Sequence, residues 1–173
     1  GVGKLVLVDH DVVELSNLQR QIVHSTADLE RPKVESARDH LLALNPHCAV
    51  EVIDHRLDEA DFDRLLPDVD AVVDATDNFE TRFSINHHCV VHRKPLISGA
   101  AIRFEGQVTV FHPADDDSPC YRCLYSSDST VAQSCSQTGV IAPLLGIIGS
   151  VQALETLKVL MGIGQDLKGR LLL

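Results

Sequence analysis

Residues 5–33, LVLVDHDVVELSNLQRQIVHSTADLERPK, decide the fold prediction. Residues 5–8 form a short apolar run rich in β-branched side chains, which is typical of a strand buried on both faces. Asp9 follows this run, and Asp11 stands two residues later. Ligands of open parallel sheets bind beyond the carboxyl ends of the strands. Because a carboxylate can accept hydrogen bonds from both hydroxyls of a ribose, the pattern favours a nucleotide site.

The polar residues that follow Asp11 extend this interpretation; they are Asn17, Arg20, Gln21 and Lys33. Two cations and two amides close to a ribose-binding carboxylate suit a nucleotide that carries several phosphates. The spacing alone leaves a second interpretation open. Asp9 is then a turn residue, and Arg20 and Lys33 are solvated surface charges.

Composition restricts the class of protein. The chain has 173 residues, 45% of them hydrophobic, which is enough for one domain with its own core. A formal net charge of −10 argues against nucleic acid or an anionic membrane as a partner. The apolar stretch 140–154 is interrupted by Pro143, Gly146 and Gly149, so we expect a buried helix there and no membrane span.

The five cysteines do not form a disulfide framework, and this predicts a reducing, cytoplasmic location. Cys48 and Cys89 stand among apolar residues and are expected in the core. Cys120 and Cys123 have the spacing of half a tetrahedral zinc site, although a redox pair has the same spacing. Cys135 lies alone in a polar stretch.

The order of apolar and polar segments predicts a Rossmann-like α/β fold, a mostly parallel sheet with helices on both faces and added antiparallel strands. Pro32 is expected at the first helical position of a helix ending near Leu44. The predicted strands are 5–8, 49–53, 70–74, 96–98 and 104–111, with a bend at Gly106 and a further strand starting at 171–173. The remaining predicted helices are 58–66, 78–93 and 141–161. The last one is expected to bury Ile147, Val151, Leu154 and Met161, with close backbone packing at Gly146 and Gly149.

Asp77 and Asn78 follow the predicted strand 70–74, so we expect them at the same sheet edge as Asp9. Asp77 could hold Mg²⁺, which prefers carboxylate and phosphate oxygens. The alternative role for Asp77 is the N-cap of the next helix. His87, His88 and His92 lie on that helix, and we assign no metal to them.

Several segments, in the right order, resemble the family of MoeB and ThiF and the adenylation domains of ubiquitin-activating enzymes. They are VDHDVVELSNLQRQ, RPKVESA, DATDNFETR, ISGAAIRFEGQVTVF, CYRCL and SCSQTGVIAPLLGIIGSVQALETLK. SGAAIRFEGQ resembles the MoeB branch most. The resemblance covers almost the whole chain. It implies one adenylation domain over residues 1–173, truncated at both ends, with the first strand and the glycine-rich loop preceding Gly1.

The resemblance implies an ATP-dependent adenylyltransferase that activates the C-terminal glycine of a ubiquitin-like sulfur carrier of the MoaD or ThiS type. It also implies a homodimer, because the family uses an arginine from a partner subunit. By resemblance, Asp9 binds ribose and Asp77 holds Mg²⁺. The catalytic residues implied are Arg20, Lys33, Asp77 and Cys135. The other nucleotide-binding residues implied are Asp11, Asn17, Gln21 and Asn78. Cys120 and Cys123 would bind structural Zn²⁺ with a second pair beyond Leu173. Cys135 aligns with a cysteine proposed to form a persulfide or thioester link with the carrier.

Two other functions stay open at this point. One is a non-catalytic member of the same family that binds a nucleotide or a partner protein; Arg20, Lys33 and Asp77 together argue against it. The other is an NAD-dependent oxidoreductase. That reading explains Asp9 at a strand end but leaves Arg20, Lys33 and Asp77 without a role.

Overall fold

A computed structural model describes residues 2–125 and 139–173. The chain divides into two compact units, Gly1–Asp61 and Phe62–Leu173, and each is described by itself. The mixed α/β architecture confirms the predicted Rossmann-like class. Cys135 lies outside the described residues, so its predicted link to the carrier stays a prediction.

The first unit is a β-α-β arrangement. Strand β1 (Lys4–Val8) pairs in parallel with β2 (Ala49–Ile53), with Lys4 opposite Ala49 and Val8 opposite Ile53. Helix α1 (Lys33–Leu44) connects them and contacts both. Among the described residues β1 pairs only with β2, so the expected burial on both faces is wrong here: residues 5–7 are half-buried and Val8 is exposed.

Pro32 occupies the N-cap of α1, one position before the predicted one. Its φ of −53° suits a helix, but its ψ of 132° is extended. The extended backbone lets Pro32 pair with Val12 in an antiparallel bridge, and Lys33 N donates to the carbonyl of Asp11 at 2.9 Å. These contacts hold the start of α1 against the loop that follows β1.

The second unit contains a three-stranded sheet. Strand β3 (Val72–Asp74) runs parallel to β4 (Leu96–Ile102), and β5 (Glu105–Phe111) pairs antiparallel with β4, which confirms the predicted antiparallel addition. The helices are α2 (Glu59–Leu65), which contains the division between the units, α3 (Phe79–Val91), α4 (Tyr121–Leu124) and α5 (Ala142–Met161). Near the end of the chain, Leu172 forms a single antiparallel bridge with Val108 in place of a full strand.

The side of α5 that packs against β4 and β5 includes polar residues. The buried residues are Ile148, Gln152 and Glu155. The predicted inner face is wrong for Ile147, Leu154 and Met161, whose exposed fractions are 60%, 57% and 55%; Val151 does pack against the core. The inner face was predicted wrongly because two polar residues on it have hydrogen-bond partners inside the protein. Gln152 donates to main-chain carbonyls, and Glu155 accepts from Leu167 N at 2.8 Å.

By length and composition, α5 is apolar enough to cross a membrane, the one helix in the described ranges of which this is true. Length and composition do not distinguish such a helix from one that packs along one side of a core. One side of α5 packs on β4 and β5, and Glu155 and Lys158 form an ion pair with each other on the helix. Only 11% of the apolar 18-residue window is buried, so the buried helix expected from the sequence is wrong for most of its surface.

Two glycines of the sheet permit this packing. A Cβ atom on Gly99 would lie 2.2 Å from Gln152 Cδ, and one on Gly106 would lie 2.6 Å from Ile148 Cδ1. Gly106 therefore does not mark the predicted bend; it lies within β5, opposite Ala101. In contrast, a Cβ on Gly146 or Gly149 would meet no described atom within 4 Å, so the close packing predicted for those two is wrong.

Helix α3 ends in a Schellman motif without glycine. Arg93 has a left-handed φ of 53°. Its N–H donates to the carbonyl of Val90 at 3.2 Å, and Lys94 N donates to that of Cys89 at 2.9 Å. The Arg93 guanidinium also donates to the carbonyl of Ala114, which fixes the chain after β5 to this end of the helix.

Candidate functional site

The loop after β1 carries the two predicted nucleotide-binding carboxylates. Asp9 follows the last strand residue, and its N–H donates to the carbonyl of Ile53 at 3.3 Å. Asp9 Oδ1 accepts from Asp11 N at 2.9 Å, so the side chain of one carboxylate fixes the backbone of the other. This is the turn role that the sequence left open for Asp9. It uses one oxygen and leaves the second available to another donor.

Lys33 joins the two carboxylates. Its Nζ lies 2.8 Å from Asp11 Oδ2 and 3.9 Å from Asp9 Oδ2, and its side chain is 12% exposed while those of the carboxylates are much more so. Lys33 is therefore not the solvated surface charge of the alternative interpretation. The hydrogen bond from Lys33 lowers the pKa of Asp11, against the smaller opposing effect of burial. A lysine ammonium beside two exposed carboxylates can exchange them for phosphate oxygens as its hydrogen-bond partners.

The segment after this loop is organised by Asn17, which is buried. Its Oδ1 accepts from Glu14 N at 3.0 Å, and its carbonyl accepts from Arg20 N and Gln21 N at 3.0 and 2.9 Å. Asn17 thus shapes the turn that presents Arg20 and Gln21. Its side-chain oxygen is not available to a ligand in this state.

Arg20 and Gln21 differ in how they are bound. Arg20 Nη1 donates to the carbonyl of Ser16 at 3.1 Å, a single contact to the backbone. The guanidinium keeps further N–H donors for an anion. Gln21 Oε1 is buried and has no hydrogen-bond partner among the described atoms. An unpaired buried amide oxygen is unfavourable, so Gln21 would gain from a bound donor.

In the second unit, Asp77 lies in the turn between β3 and α3. Asn78, not Asp77, caps α3: Asn78 Oδ1 accepts from Thr81 N at 2.9 Å. The N-cap alternative for Asp77 is therefore wrong. The exposed Asp77 carboxylate accepts one long hydrogen bond from Asn78 Nδ2, at 3.4 Å, and joins none of the ion pairs within residues 2–125 and 139–173. An exposed hard-oxygen donor in this state fits the Mg²⁺ role.

A buried network behind Asp77 was missed in the sequence. Asp74, 1% exposed, accepts from Thr76 N at 2.9 Å and from Thr76 Oγ1 at 2.7 Å. The buried Arg82 donates through Nε and Nη2 to the carbonyl of Thr76. A signal was present in DATDNFETR, because an acidic residue at a strand end and an arginine four residues after an N-cap both face the same turn.

Cys120 and Cys123 lie at the two ends of the first turn of α4. Their Sγ atoms are 3.7 Å apart, and Cys120 N donates to Cys123 Sγ at 3.4 Å. A zinc–sulfur distance of about 2.3 Å in a regular tetrahedron places two sulfurs about 3.8 Å apart, so this pair fits zinc without rearrangement. Burial opposes ionisation of Cys120, but hydrogen bonds from Cys123 and Arg122 outweigh it and lower the pKa of that thiol.

No metal is assigned to the histidines of helix α3 or to the cluster of Asp9, His10 and Asp11. His88 stacks on Phe62 with ring centroids 4.0 Å apart, and His92 Nε2 lies 3.0 Å from Asp63 Oδ1, which gives them packing and polar roles. The ligand atoms of Asp9, His10 and Asp11 lie within 4.8 Å of one another. Lys33 already supplies the positive charge at that cluster.

The chain belongs to the ThiF family, whose sequence model matches residues 1–173. It is 49% identical over 173 residues to the molybdopterin-synthase adenylyltransferase of Escherichia coli strain K12, covering 100% of this chain and 69% of that protein. It is 45% identical over 174 residues to the SAMP-activating enzyme E1 of Haloferax volcanii, covering 99% of this chain and 63% of that one. The predicted MoeB/ThiF resemblance is thereby confirmed.

A crystal structure of MccB from Escherichia coli with ATP superimposes with a TM-score of 0.79 at 24% identity, covering 95% of this chain and 50% of that chain. At this identity the likeness supports the fold alone. The relatives at higher identity confirm the prediction of an adenylyltransferase, and the NAD-dependent oxidoreductase loses its basis. The individual roles of the site residues stay predictions.

Proposed function

We propose that the complete protein uses ATP and Mg²⁺ to adenylate the C-terminal carboxylate of a ubiquitin-like sulfur carrier. A carboxylate oxygen attacks the α-phosphorus, a new P–O bond forms, and the bond to the bridging oxygen of pyrophosphate breaks. The products are an acyl-adenylate and pyrophosphate. The observation that carries the proposal is the Lys33–Asp11–Asp9 arrangement in a chain of the ThiF family.

Lys33 would act by exchanging partners. In the described state it neutralises Asp11 and Asp9; on binding, phosphate oxygens would replace Asp11 as its partner, and Asp9 would accept from the ribose hydroxyls. Arg20 would add a second cation from the Asn17 turn. Positioned cations stabilise the charge that develops on the α-phosphate and on the leaving pyrophosphate.

Asp77 would hold Mg²⁺, which when bound neutralises phosphate charge and orients the leaving group. The protein would supply an exposed carboxylate set on a turn of fixed geometry, with Asn78 forming the adjacent helix cap. Mg²⁺ usually binds through one or two carboxylates together with substrate phosphates, so a single protein ligand is enough for this role.

The test is carrier-dependent pyrophosphate–ATP exchange by the full-length protein. Lys33→Ala and Arg20→Ala are each expected to lower the rate by about 10²–10³, the usual effect of losing one preorganised donor. Asp77→Ala is expected to raise the Mg²⁺ requirement. Lys4→Ala is the matched control, because Lys4 also pairs with a carboxylate, Glu51, at 2.7 Å on the exposed edge of the first unit.

Thermal melts of all variants separate loss of function from loss of fold. If the three site variants kept near-wild-type exchange and normal melting, the adenylation site would lie elsewhere. If the wild-type protein bound ATP but never exchanged pyrophosphate with any carrier, the non-catalytic alternative would be correct. A homodimer is part of the proposal, and mixed dimers of Lys33→Ala with wild-type chains would report whether each subunit carries its own site.

We also propose a structural Zn²⁺ at Cys120 and Cys123, completed by a second pair of thiolates. The 3.7 Å separation of the sulfurs and the lowered pKa of Cys120 support it. Cys120→Ser in the full-length protein is expected to abolish stoichiometric zinc and lower the melting temperature. If the wild-type protein contains no zinc after gentle purification, the proposal is contradicted, and the redox-pair interpretation is then favoured.

A further inference from the structure

We propose that Arg82 is a positioning residue for Asp77, the proposed metal ligand. The inference rests on the function proposed above and deepens it. Arg82 lies on α3 and is 7% exposed. Its Nε donates to the carbonyl oxygen of Thr76 at 3.1 Å, and its Nη2 donates to the same oxygen. A buried guanidinium thus directs two donors at the residue immediately before Asp77.

Thr76 is held from its other side as well. Its N–H and Oγ1–H both donate to Asp74 Oδ1, at 2.9 and 2.7 Å, and Asp74 Oδ2 accepts from Ser98 Oγ at 3.3 Å. The main-chain carbonyl of Asp74 accepts from Gln152 Nε2 at 2.8 Å. Every polar group of Thr76 is therefore bonded to a buried side chain, and Arg82 supplies the bonds to its carbonyl.

Asp77 stands between two fixed points. Thr76 precedes it, and Asn78 follows it with its side chain engaged in the α3 cap. The Asp77 carboxylate itself is exposed and makes little contact with the protein. Its direction is set by the backbone on either side, so a shift of the Thr76 carbonyl would move the carboxylate. Mg²⁺ requires near-octahedral geometry at about 2.0–2.1 Å, which makes its affinity sensitive to such a shift.

A purely structural role for Arg82 makes a different prediction. The Arg82 guanidinium also lies near the phenol of the buried Tyr121, where it acts against the rise in the pKa of Tyr121 that burial causes. If packing against Tyr121 were the whole role, replacing Arg82 would lower the melting temperature and leave metal binding unchanged. Metal binding is therefore the measurement that separates the two roles.

The experiment uses full-length Arg82→Gln and Arg82→Lys with Mn²⁺ as the probe, in the presence of a non-hydrolysable ATP analogue. Electron paramagnetic resonance measures free and bound Mn²⁺ directly and requires no turnover. Arg82→Gln is expected to weaken Mn²⁺ binding about tenfold, the lower end of the effect of losing a supporting partner. Arg82→Lys keeps one donor and is expected to fall between. The control is Arg170→Gln, which removes an exposed guanidinium that also donates to a main-chain carbonyl, that of Asp166.

A second readout follows the turn itself. Hydrogen exchange at the Thr76 amide is expected to be faster in Arg82→Gln and unchanged in Arg170→Gln, in the absence of nucleotide. Mn²⁺ binding equal to wild type in Arg82→Gln, with or without a lower melting temperature, would overturn the inference. So would Mn²⁺ binding that is insensitive to Asp77→Asn. If Mn²⁺ binding weakens as expected but the wild type shows no carrier-dependent exchange, the positioning role stands and the proposed function fails.

Discussion

Gly99→Ala is predicted to destabilise the second unit by about 2–4 kcal/mol, through a clash with Gln152. The new Cβ would lie 2.2, 2.3 and 2.6 Å from Gln152 Cδ, Oε1 and Nε2. The whole amide group would have to leave. Its Nε2 currently donates to the carbonyls of Asp74 at 2.8 Å and Ile97 at 3.3 Å. Two lost hydrogen bonds contribute about 1 kcal/mol each, and overpacking adds about 1–3 kcal/mol, less the small gain from removing a glycine from a strand.

A double-mutant cycle identifies the cause. Gln152→Ala alone is expected to be destabilising, because two buried carbonyls lose a donor. Once Gln152 is truncated, however, Gly99→Ala meets no amide and should have almost no further effect. Urea unfolding of the full-length wild type, both single variants and the double variant gives the coupling free energy. Strict additivity would show that the two side-chain positions do not conflict and would refute the steric argument.

Two further predictions concern titratable groups. Burial, aided by the charge of Asp74, raises the pKa of Cys89 to about 12, so the folded protein retains a proton that the unfolded chain loses above about pH 9. The free energy of unfolding should therefore fall by about 1.4 kcal/mol per pH unit above pH 9, and Cys89→Ala should flatten this slope in urea unfolding at pH 8 to 10.5; an equal slope in both proteins would contradict it. The hydrogen bond from Lys33 lowers the pKa of Asp11, so the pair stabilises the fold at neutral pH and is lost as pH falls through that lowered pKa. Because Asp11 is largely exposed, Asp11→Asn should lower the free energy of unfolding at pH 7 by under about 1 kcal/mol. The same change frees Lys33 and should tighten ATP binding up to about fivefold in calorimetry. Weaker ATP binding would mean that Asp11 contacts the nucleotide itself.

The sequence predicted elements better than it predicted faces. Helix α5 (Ala142–Met161) begins and ends within one residue of its predicted bounds, 141–161. Its inner face was predicted wrongly because the polar Gln152 and Glu155 are turned inward. Their partners, the carbonyls of Asp74 and Ile97 and the N–H of Leu167, lie 12 to 78 residues away in the chain. No local pattern contains that information.

The candidate site shows the same division. Residue types at strand ends made Asp9, Asp11 and Asp77 candidates, Lys33 followed at the start of a predicted helix, and the family resemblance assigned their roles. Which of them bond to each other was not predicted, because the Lys33–Asp11 pair spans 22 residues. Asp77 and Asn78 are equally good N-cap residues by type, and only geometry shows that Asn78 takes the cap.

The arginine that ends helix α3 has a consequence for sequence design. Substitution to glycine at this position would relieve a left-handed residue and gain roughly 1 kcal/mol of backbone free energy. The same change would release the carbonyl of Ala114, which now anchors the segment leading from β5 to the cysteine turn. A consensus-style library that scored thermostability alone would therefore find glycine and arginine nearly tied at position 93.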